Sequence, residues 1–480
     1  MHNSDLTRRT FVGAVAAAGL MAADQPWVEL FNRRNLDGWR PSENKASWKV
    51  VNGELVADGP RSHLFYTGPV RGASFRNFEL EVEALTRPGC NSGVFFHTAY
   101  QEAGFPLKGF EVKRTGSLYG LRNIYKQLVP DDQWFKIHIA VRGKNIQVRL
   151  NGTLLVDYTE PVPPVGAEGD QRQRVLGRGT FALGCHDDGS KARFRSVHVR
   201  PLPDDVPTPG PAPVVDDVFR QIVAMGTRNI PMVDYHAHLK GGLTLEQVLA
   251  QSRKDGIQYG LAVNCGKGFP TENDDAVRAY VDSLKGQPVF IAMQGEGREW
   301  TQMFSRRAVA LFDYTFTDSM TWTDNHGRRL RLWISEEVGS IADAQEFMDT
   351  LVERAVGILE REPIDIYANP TFLPDLIAKD YDRLWTEKRM RQVISAAARN
   401  GVAIELNDRY RLPSPAFVRM AKEAGCKFSF GTNNTGPEDL GRCEYGLRMV
   451  NECKLGWQDF FVPGAWGPKA VERKGGALRS

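Results

Sequence analysis

Pro201-Leu202-Pro203-Asp204-Asp205-Val206-Pro207-Thr208-Pro209-Gly210-Pro211-Ala212-Pro213 decides how the rest of the 480-residue chain is read. Proline removes backbone donors and fixes φ, so a stretch this dense favours an extended spacer over a packed element. It is the clearest domain boundary in the sequence, and the hydrophobic period differs on its two sides. Upstream run short segments of strand character: Phe78-Glu79-Leu80-Glu81-Val82-Glu83-Ala84, Val94-Phe95-Phe96, Phe135-Lys136-Ile137-His138-Ile139-Ala140-Val141 and Ile146-Gln147-Val148-Arg149-Leu150. Asn151-Gly152 after the last of these is a strong hairpin turn. The pattern predicts an antiparallel β-sandwich.

Downstream, helical periods over 244–255, 275–285, 341–360, 387–400 and 415–424 alternate with short apolar strands at 259–263, 288–293, 364–367, 402–406 and 427–431. Such alternation predicts an α/β barrel whose chemistry sits at the carboxyl ends of its strands. The expected fold is thus a two-domain chain. An all-β sandwich over 26–202 and a proline-rich linker over 203–214 precede an α/β barrel over 215–480.

Composition excludes several functions. A net charge of +3 on 480 residues gives no electrostatic case for nucleic acid. No apolar stretch after the N-terminus approaches the roughly 20 residues a membrane span needs. Thr7-Arg8-Arg9-Thr10-Phe11-Val12, followed by the small and apolar run 13–23, resembles a twin-arginine export signal. Residues 1–24 are therefore expected to be removed and the mature protein to be periplasmic or secreted. The six cysteines have no Cys-x-x-Cys spacing, and buried free thiols are the expectation.

The sandwich half carries an ordered series of motifs. Leu30-Phe31-Asn32-Arg33-Arg34-Asn35-Leu36-Asp37-Gly38-Trp39 is followed by Trp48-Lys49-Val50-Val51-Asn52-Gly53-Glu54-Leu55 and Asn91-Ser92-Gly93-Val94-Phe95-Phe96. Next come Gly109-Phe110-Glu111-Val112, Thr115-Gly116-Ser117-Leu118-Tyr119-Gly120 and Phe194-Arg195-Ser196-Val197. Together they resemble the 3-keto-disaccharide hydrolase family, which implies a concanavalin-like jelly roll and a carbohydrate substrate. Cleavage would occur beside a 3-keto-glycosyl unit, because a ketone at C3 acidifies the C2 proton and lets a general base drive loss of the C1 substituent. The resemblance implies Glu111 as that base or as a metal-facing residue, with His97, Lys113 and His186 close by and either calcium or no ion in the sandwich. Two departures stand out: Glu111-Val112-Lys113 where Glu-x-Gln is usual, and Phe135 rather than asparagine after Trp134. Glu111 also reads as a solvated strand residue, His97 and His186 as hydrogen-bonded rim histidines, and Trp39 and Trp134 as core.

The barrel half opens on Asp234-Tyr235-His236-Ala237-His238 after the apolar Ile230-Pro231-Met232-Val233. Histidines two apart on a strand share a face, so both imidazoles can reach one cation at the strand end. The run resembles the first motif of the polymerase-and-histidinol-phosphatase (PHP) family, metal-dependent hydrolases with a distorted β/α barrel. Gln294-Gly295-Glu296 and Ala403-Ile404-Glu405-Leu406-Asn407 fall where later family motifs lie. Departures remove charged ligands: Asn264-Cys265 replaces Asp-His, Asn369-Pro370 replaces a histidine before proline, and Thr432-Asn433-Asn434-Thr435 replaces Ser-Asp-Ala-His. The resemblance implies at most one zinc or manganese position, held by His236, His238 and Glu296 with Glu405 or Asp318. The competing expectation is a metal-free barrel whose former ligands form a hydrogen-bonded network.

Three functions follow from the sequence. The first is an exported carbohydrate-active hydrolase or lyase with a second, metal-hydrolase-like barrel. The second is a metal-dependent phosphoesterase or amidohydrolase-like barrel carrying a sugar-binding sandwich. The third is a non-catalytic carbohydrate-binding protein. The oligomeric state is not legible in the sequence.

Overall fold

The computed structural model describes residues 25–102, 113–166, 174–324 and 326–479. The export-signal segment 1–24 and the general-base candidate Glu111 lie outside the described residues.

The pleat alternation of Asn77–Thr86 sets the first unit's layers. Phe78, Leu80, Val82 and Ala84 are buried on one face, and Glu79, Glu81 and Glu83 stand on the other. This strand is central in the larger sheet, whose order is Thr153–Thr159, Asn145–Leu150, Trp134–Arg142, Asn77–Thr86, Lys191–Leu202, Glu54–Asp58 and Trp48–Val51. The short Val28–Glu29 adds to Lys191–Leu202. A second sheet runs Trp39–Pro41, Ser62–Tyr66, Thr180–Cys185, Val94–Thr98. Phe75, Phe78 and Phe181 interlock in the core, with Phe181 centroids 4.6 and 4.9 Å from its two neighbours. The predicted hairpin is present: Asn151 (φ 48°) and Gly152 (φ 85°) both take the left-handed region and join Asn145–Leu150 to Thr153–Thr159. Trp39 is a core residue, its indole N–H donating to the Leu30 carbonyl at 2.8 Å. Trp134 instead lies half-buried on the charged outer face, 3.9 Å beneath the Arg195 guanidinium.

Seven parallel strands close the barrel of the second unit: Val233–Ala237, Gln258–Cys265, Phe290–Gly295, Tyr314–Thr317, Ile366–Tyr367, Ala403–Asn407 and Phe428–Gly431. The last strand returns to the first through Asp234 and Phe430. The two-domain order, sandwich then parallel α/β barrel, is the one the sequence predicts. The helices begin where side chains cap them, as in Leu245–Asp255, where Thr244 and Gln247 form a reciprocal capping box. The fourth strand, Tyr314-Thr315-Phe316-Thr317, escapes the sequence reading because threonine at every second position breaks its apolar run. After it, Thr321–Thr323 pairs with Arg329–Arg331 in a small hairpin.

The chain does not divide only at the linker. Among the described residues, the two compact units are 25–102 with 129–166 and 174–214, and 113–128 with 215–324 and 326–479. Residues 113–128 thus group with the barrel. Tyr125 joins Val233, Tyr235, Phe290, Tyr314, Phe316 and Val462 in the buried cluster of the barrel lumen. Its main-chain N–H donates to Gln258, and Lys126 reaches the Val289 carbonyl at 2.6 Å and Asp313 at 2.9 Å. These partners stand at strand starts, so the segment fills the amino-terminal end of the lumen. Toward the carboxyl ends the lumen turns polar, with His236, Gln294, Asp318, Glu405 and Asn407 all buried.

Candidate functional site

The polar end of the barrel is organised around Glu405 on the sixth strand. One carboxylate oxygen of Glu405 meets His236 Nδ1 at 2.6 Å. The other accepts the Asn369 main-chain N–H at 2.7 Å and the Asn407 side-chain amide at 3.0 Å. A carboxylate already accepting two N–H groups requires His236 to present Nδ1–H, so His236 Nε2 faces away from Glu405. Asn369 delivers its N–H from a left-handed backbone (φ 46°) that asparagine tolerates. Its amide also donates to Asp318 at 2.9 Å. Gly431, on the neighbouring strand, makes room for the pair: a Cβ there would collide with Glu405 Oε1 and sit 2.9 Å from His236 Cβ.

Other former ligand candidates are held by different partners. His238 Nδ1 donates to the Ala262 carbonyl at 3.0 Å, and its main-chain N–H donates to Asn434 Oδ1 at 2.8 Å. Burial first, then His236 and Lys240, hold the His238 imidazole well below its usual pKa and keep it neutral. Asp234 is fully buried and accepts from Thr432 and from the His236 main chain, which ties the first and seventh strands together. Glu296 accepts from Asn264 at 2.7 Å. Burial and the nearby Asp318 carboxyl push Glu296 up to about 8, and burial raises Asp318 as well. Arg298 spends its terminal nitrogens on Glu362 at 2.7 Å, Thr317 at 2.9 Å and the Asp318 carbonyl at 3.1 Å.

The expected zinc or manganese position of His236, His238, Glu296 and Glu405 is overturned. Among the described residues no group of three or more His, Cys, Asp or Glu side chains could hold a metal ion, in the barrel or in the sandwich, so the calcium alternative for the sandwich falls with it. In the barrel the physical reason is that the donors are spent on one another. His236 is locked to Glu405, His238 to a carbonyl, and Glu296 and Asp318 to separate asparagines. Asparagines at 264, 369 and 434 bind these groups by hydrogen bonds where charged side chains would have gathered them around a cation. Sequence reasoning treated Asn264 and Asn369 only as losses, and it gave Gln294 and Asn407 no role of their own. The usable signal was that each polar residue closes an apolar barrel strand.

In the sandwich, the predicted site residues fall into separate environments. His97 has a left-handed backbone (φ 54°). Its Nε2–H donates to the Arg76 carbonyl at 2.8 Å, and its Nδ1 accepts the Gly177 N–H at 3.1 Å. Both ring nitrogens thus serve the main chain, and burial lowers the pKa. His186 pairs with His63, Nδ1 to Nε2 at 3.1 Å, and their rings meet edge to face. His63 is fully buried, and burial, His186 and Arg61 push it down to about 3. The sequence reading passed over His63, which sits in the wholly buried strand Ser62–Tyr66. Lys113 belongs to the barrel unit, bonding Asn229 and lying 3.8 Å over the Tyr119 ring. Of the described cysteines none is paired. No helix among the described residues is long and apolar enough to cross a membrane.

Residues 26–200 match one family model, described as a 3-keto-alpha-glucoside-1,2-lyase-like domain. No curated protein matches the chain. Among solved structures, a provisionally named glycosyl hydrolase from Parabacteroides distasonis is 19% identical with a TM-score of 0.29, covering 38% of this chain and 95% of its own. The carbohydrate-binding module CBM66 from Bacillus subtilis is 13% identical with a TM-score of 0.23, covering 34% and 95%. At these scores the structural likenesses carry no functional argument. The family match spans the region that the sandwich motifs delimit.

Proposed function

We propose that the protein is an exported carbohydrate-active hydrolase or lyase whose N-terminal domain breaks a glycosidic bond beside a 3-keto-glycosyl unit. The observation that carries this reading is the match of residues 26–200 to a 3-keto-alpha-glucoside-1,2-lyase-like domain. The chemistry needs one base and no redox partner. A carboxylate removes the C2 proton acidified by the C3 ketone, the electron pair forms the C1–C2 double bond, and the C1 oxygen substituent leaves with a proton. Addition of water across that double bond turns the lyase product into the hydrolysed sugar. Glu111 is the proposed base. Export through the twin-arginine route belongs to the same reading and rests on residues 7–12. The likeness of the barrel to the PHP family rests on its sequence motifs alone and brings no metal-dependent step with it.

The test is turnover of a 3-keto-glucoside by the full chain. Glu111→Gln is expected to lower kcat roughly 10²- to 10⁴-fold, the usual worth of a positioned general base. Undiminished turnover in Glu111→Gln would remove that residue from the mechanism. Saturable sugar binding with no turnover in the wild-type protein would turn the reading to a binding module.

A further inference from the structure

Two buried acceptor atoms at the barrel mouth, His236 Nε2 and Gln294 Oε1, make no hydrogen bond of good geometry, and the Gln294 side chain lies beside the His238 imidazole. Their residues are 2% and 6% exposed. Arg298 Nε, on the loop after the third strand, is a buried donor in the same condition. An unmade hydrogen bond on a buried polar atom is costly, so three of them at the end of one barrel ask for a partner. His236 is the best placed. Its ring is clamped by Glu405, that pair is accommodated by Gly431, and Phe316 packs against it with ring centroids 4.7 Å apart. Around this buried floor stand half-buried residues on the loops and strand ends: Lys240, Asn264, Arg298 and Tyr410.

We infer that the carboxyl end of the barrel is a metal-free binding site for a small neutral polyol, whose hydroxyl groups donate to His236 Nε2 and Gln294 Oε1 and accept from Arg298 Nε. A hydroxyl group both donates and accepts through a single atom, and the site offers two acceptors and one donor. The carboxyl groups of Glu296, Asp318 and Glu405 line the same end, and the terminal nitrogens of Arg298 are already spent. A phosphate would therefore meet these carboxyl groups and an Arg298 fork that is already spent, with the Lys240 ammonium near Glu296 left to receive it. This site is separate from the proposed chemistry of the sandwich and would stand if that chemistry failed.

Calorimetric titration of the full chain with myo-inositol, D-glucose and D-glucose 6-phosphate tests the inference. Saturable binding of myo-inositol or glucose is expected, with the phosphorylated sugar at least tenfold weaker. Gln294→Met and His236→Ala are each expected to weaken the neutral ligand about tenfold, the loss of roughly one buried hydrogen bond. If His236→Ala does not fold, as circular dichroism will show, Gln294→Met decides alone. The inference is overturned by a preference for the phosphorylated sugar, by an affinity unchanged in the folded variants, or by no saturable heat with either neutral probe. Turnover of the 3-keto-glucoside, followed in parallel, keeps a failure here distinct from a failure of the sandwich.

Discussion

Glu79 on the outer face of the large sandwich sheet and Glu296 at the mouth of the barrel are both carboxyls taken out of water, at 3% and 4% exposure, and their surroundings treat them oppositely. Glu79 is ringed by Arg142, Arg200 and His138, with Trp27 packed over the Arg200 guanidinium at 5.1 Å. Burial raises its pKa, but hydrogen bonds from His138 and Arg200 and the charges of Arg142 and Arg200 outweigh that and hold it at about 2. Glu296 has no ion pair among the described residues and carries a carboxyl neighbour, Asp318, so it moves the other way, to about 8. A buried charge that is fully compensated is architecture. One that is left uncompensated beside unpartnered polar atoms marks a place where the fold gives up stability for a site.

The largest effect that would break this contrast is at Glu79. Glu79→Gln leaves two arginines side by side on a half-buried sheet face with their shared counter-ion gone. A loss of about 3 kcal/mol in unfolding free energy is expected from chemical denaturation. A loss below about 1 kcal/mol would mean that the network is a solvated surface ladder, and the contrast with the barrel would dissolve. Because the folded pKa is depressed, this stabilisation is present above the unfolded carboxyl pKa and lost as pH falls toward about 2.

A smaller effect is expected at Gly431. The added methyl of Gly431→Ala would collide with Glu405 Oε1 and crowd His236 Cβ, so the carboxylate must swing away from the imidazole. Overpacking of this kind costs about 2 kcal/mol. Its sharper readout is the His236 ring resonance in nitrogen NMR, which should lose the signature of an Nδ1–H bonded to a carboxylate. An unchanged spectrum would show that Glu405 does not orient His236.

Much of the fold was legible because its signals are local. Alternation along Asn77–Thr86, the Asn151-Gly152 turn and the capped helix periods each depend on a few neighbouring residues. The fourth barrel strand was lost because its polar alternate positions are threonines whose burial depends on helices and strands distant in sequence. The insertion of residues 113–128 into the barrel unit was illegible for the same reason: Tyr125 and Lys126 look like ordinary strand or loop residues until Gln258, Val289 and Asp313 are beside them. The sequence named His236, His238, Glu296 and Glu405 as metal ligands, and the structure brings them to one end of the barrel without any group of three or more among the described residues that could hold a metal ion. It also stated the hydrogen-bonded network as the rival to a metal centre. What it could not reach was the pairing. Whether Glu405 faces a cation or an imidazole depends on a few ångströms of register between the first and sixth strands, and on asparagines that bind the remaining groups one by one.

Glu296 offers the finest test, because it separates an uncompensated carboxyl from a merely buried one by the sign of a pH dependence. Its folded pKa of about 8 lies above the usual unfolded value of about 4.3, so the native state holds the extra proton between those limits. Unfolding free energy must then fall as pH rises through that window, since the unfolded chain has already released the proton that the native barrel keeps. Glu296→Gln removes this slope while keeping an acceptor for Asn264. The variant should match the wild type near pH 4 and gain on it steadily toward pH 8, by on the order of 1 kcal/mol once solvent relaxation around the mouth is allowed for. Denaturant midpoints for both proteins at pH 5 and pH 8 measure the difference, which includes any change that the substitution makes in the neighbouring Asp318. Parallel midpoints would place a compensating cation at Glu296, making the barrel mouth like Glu79 and removing the asymmetry between the two halves of the chain.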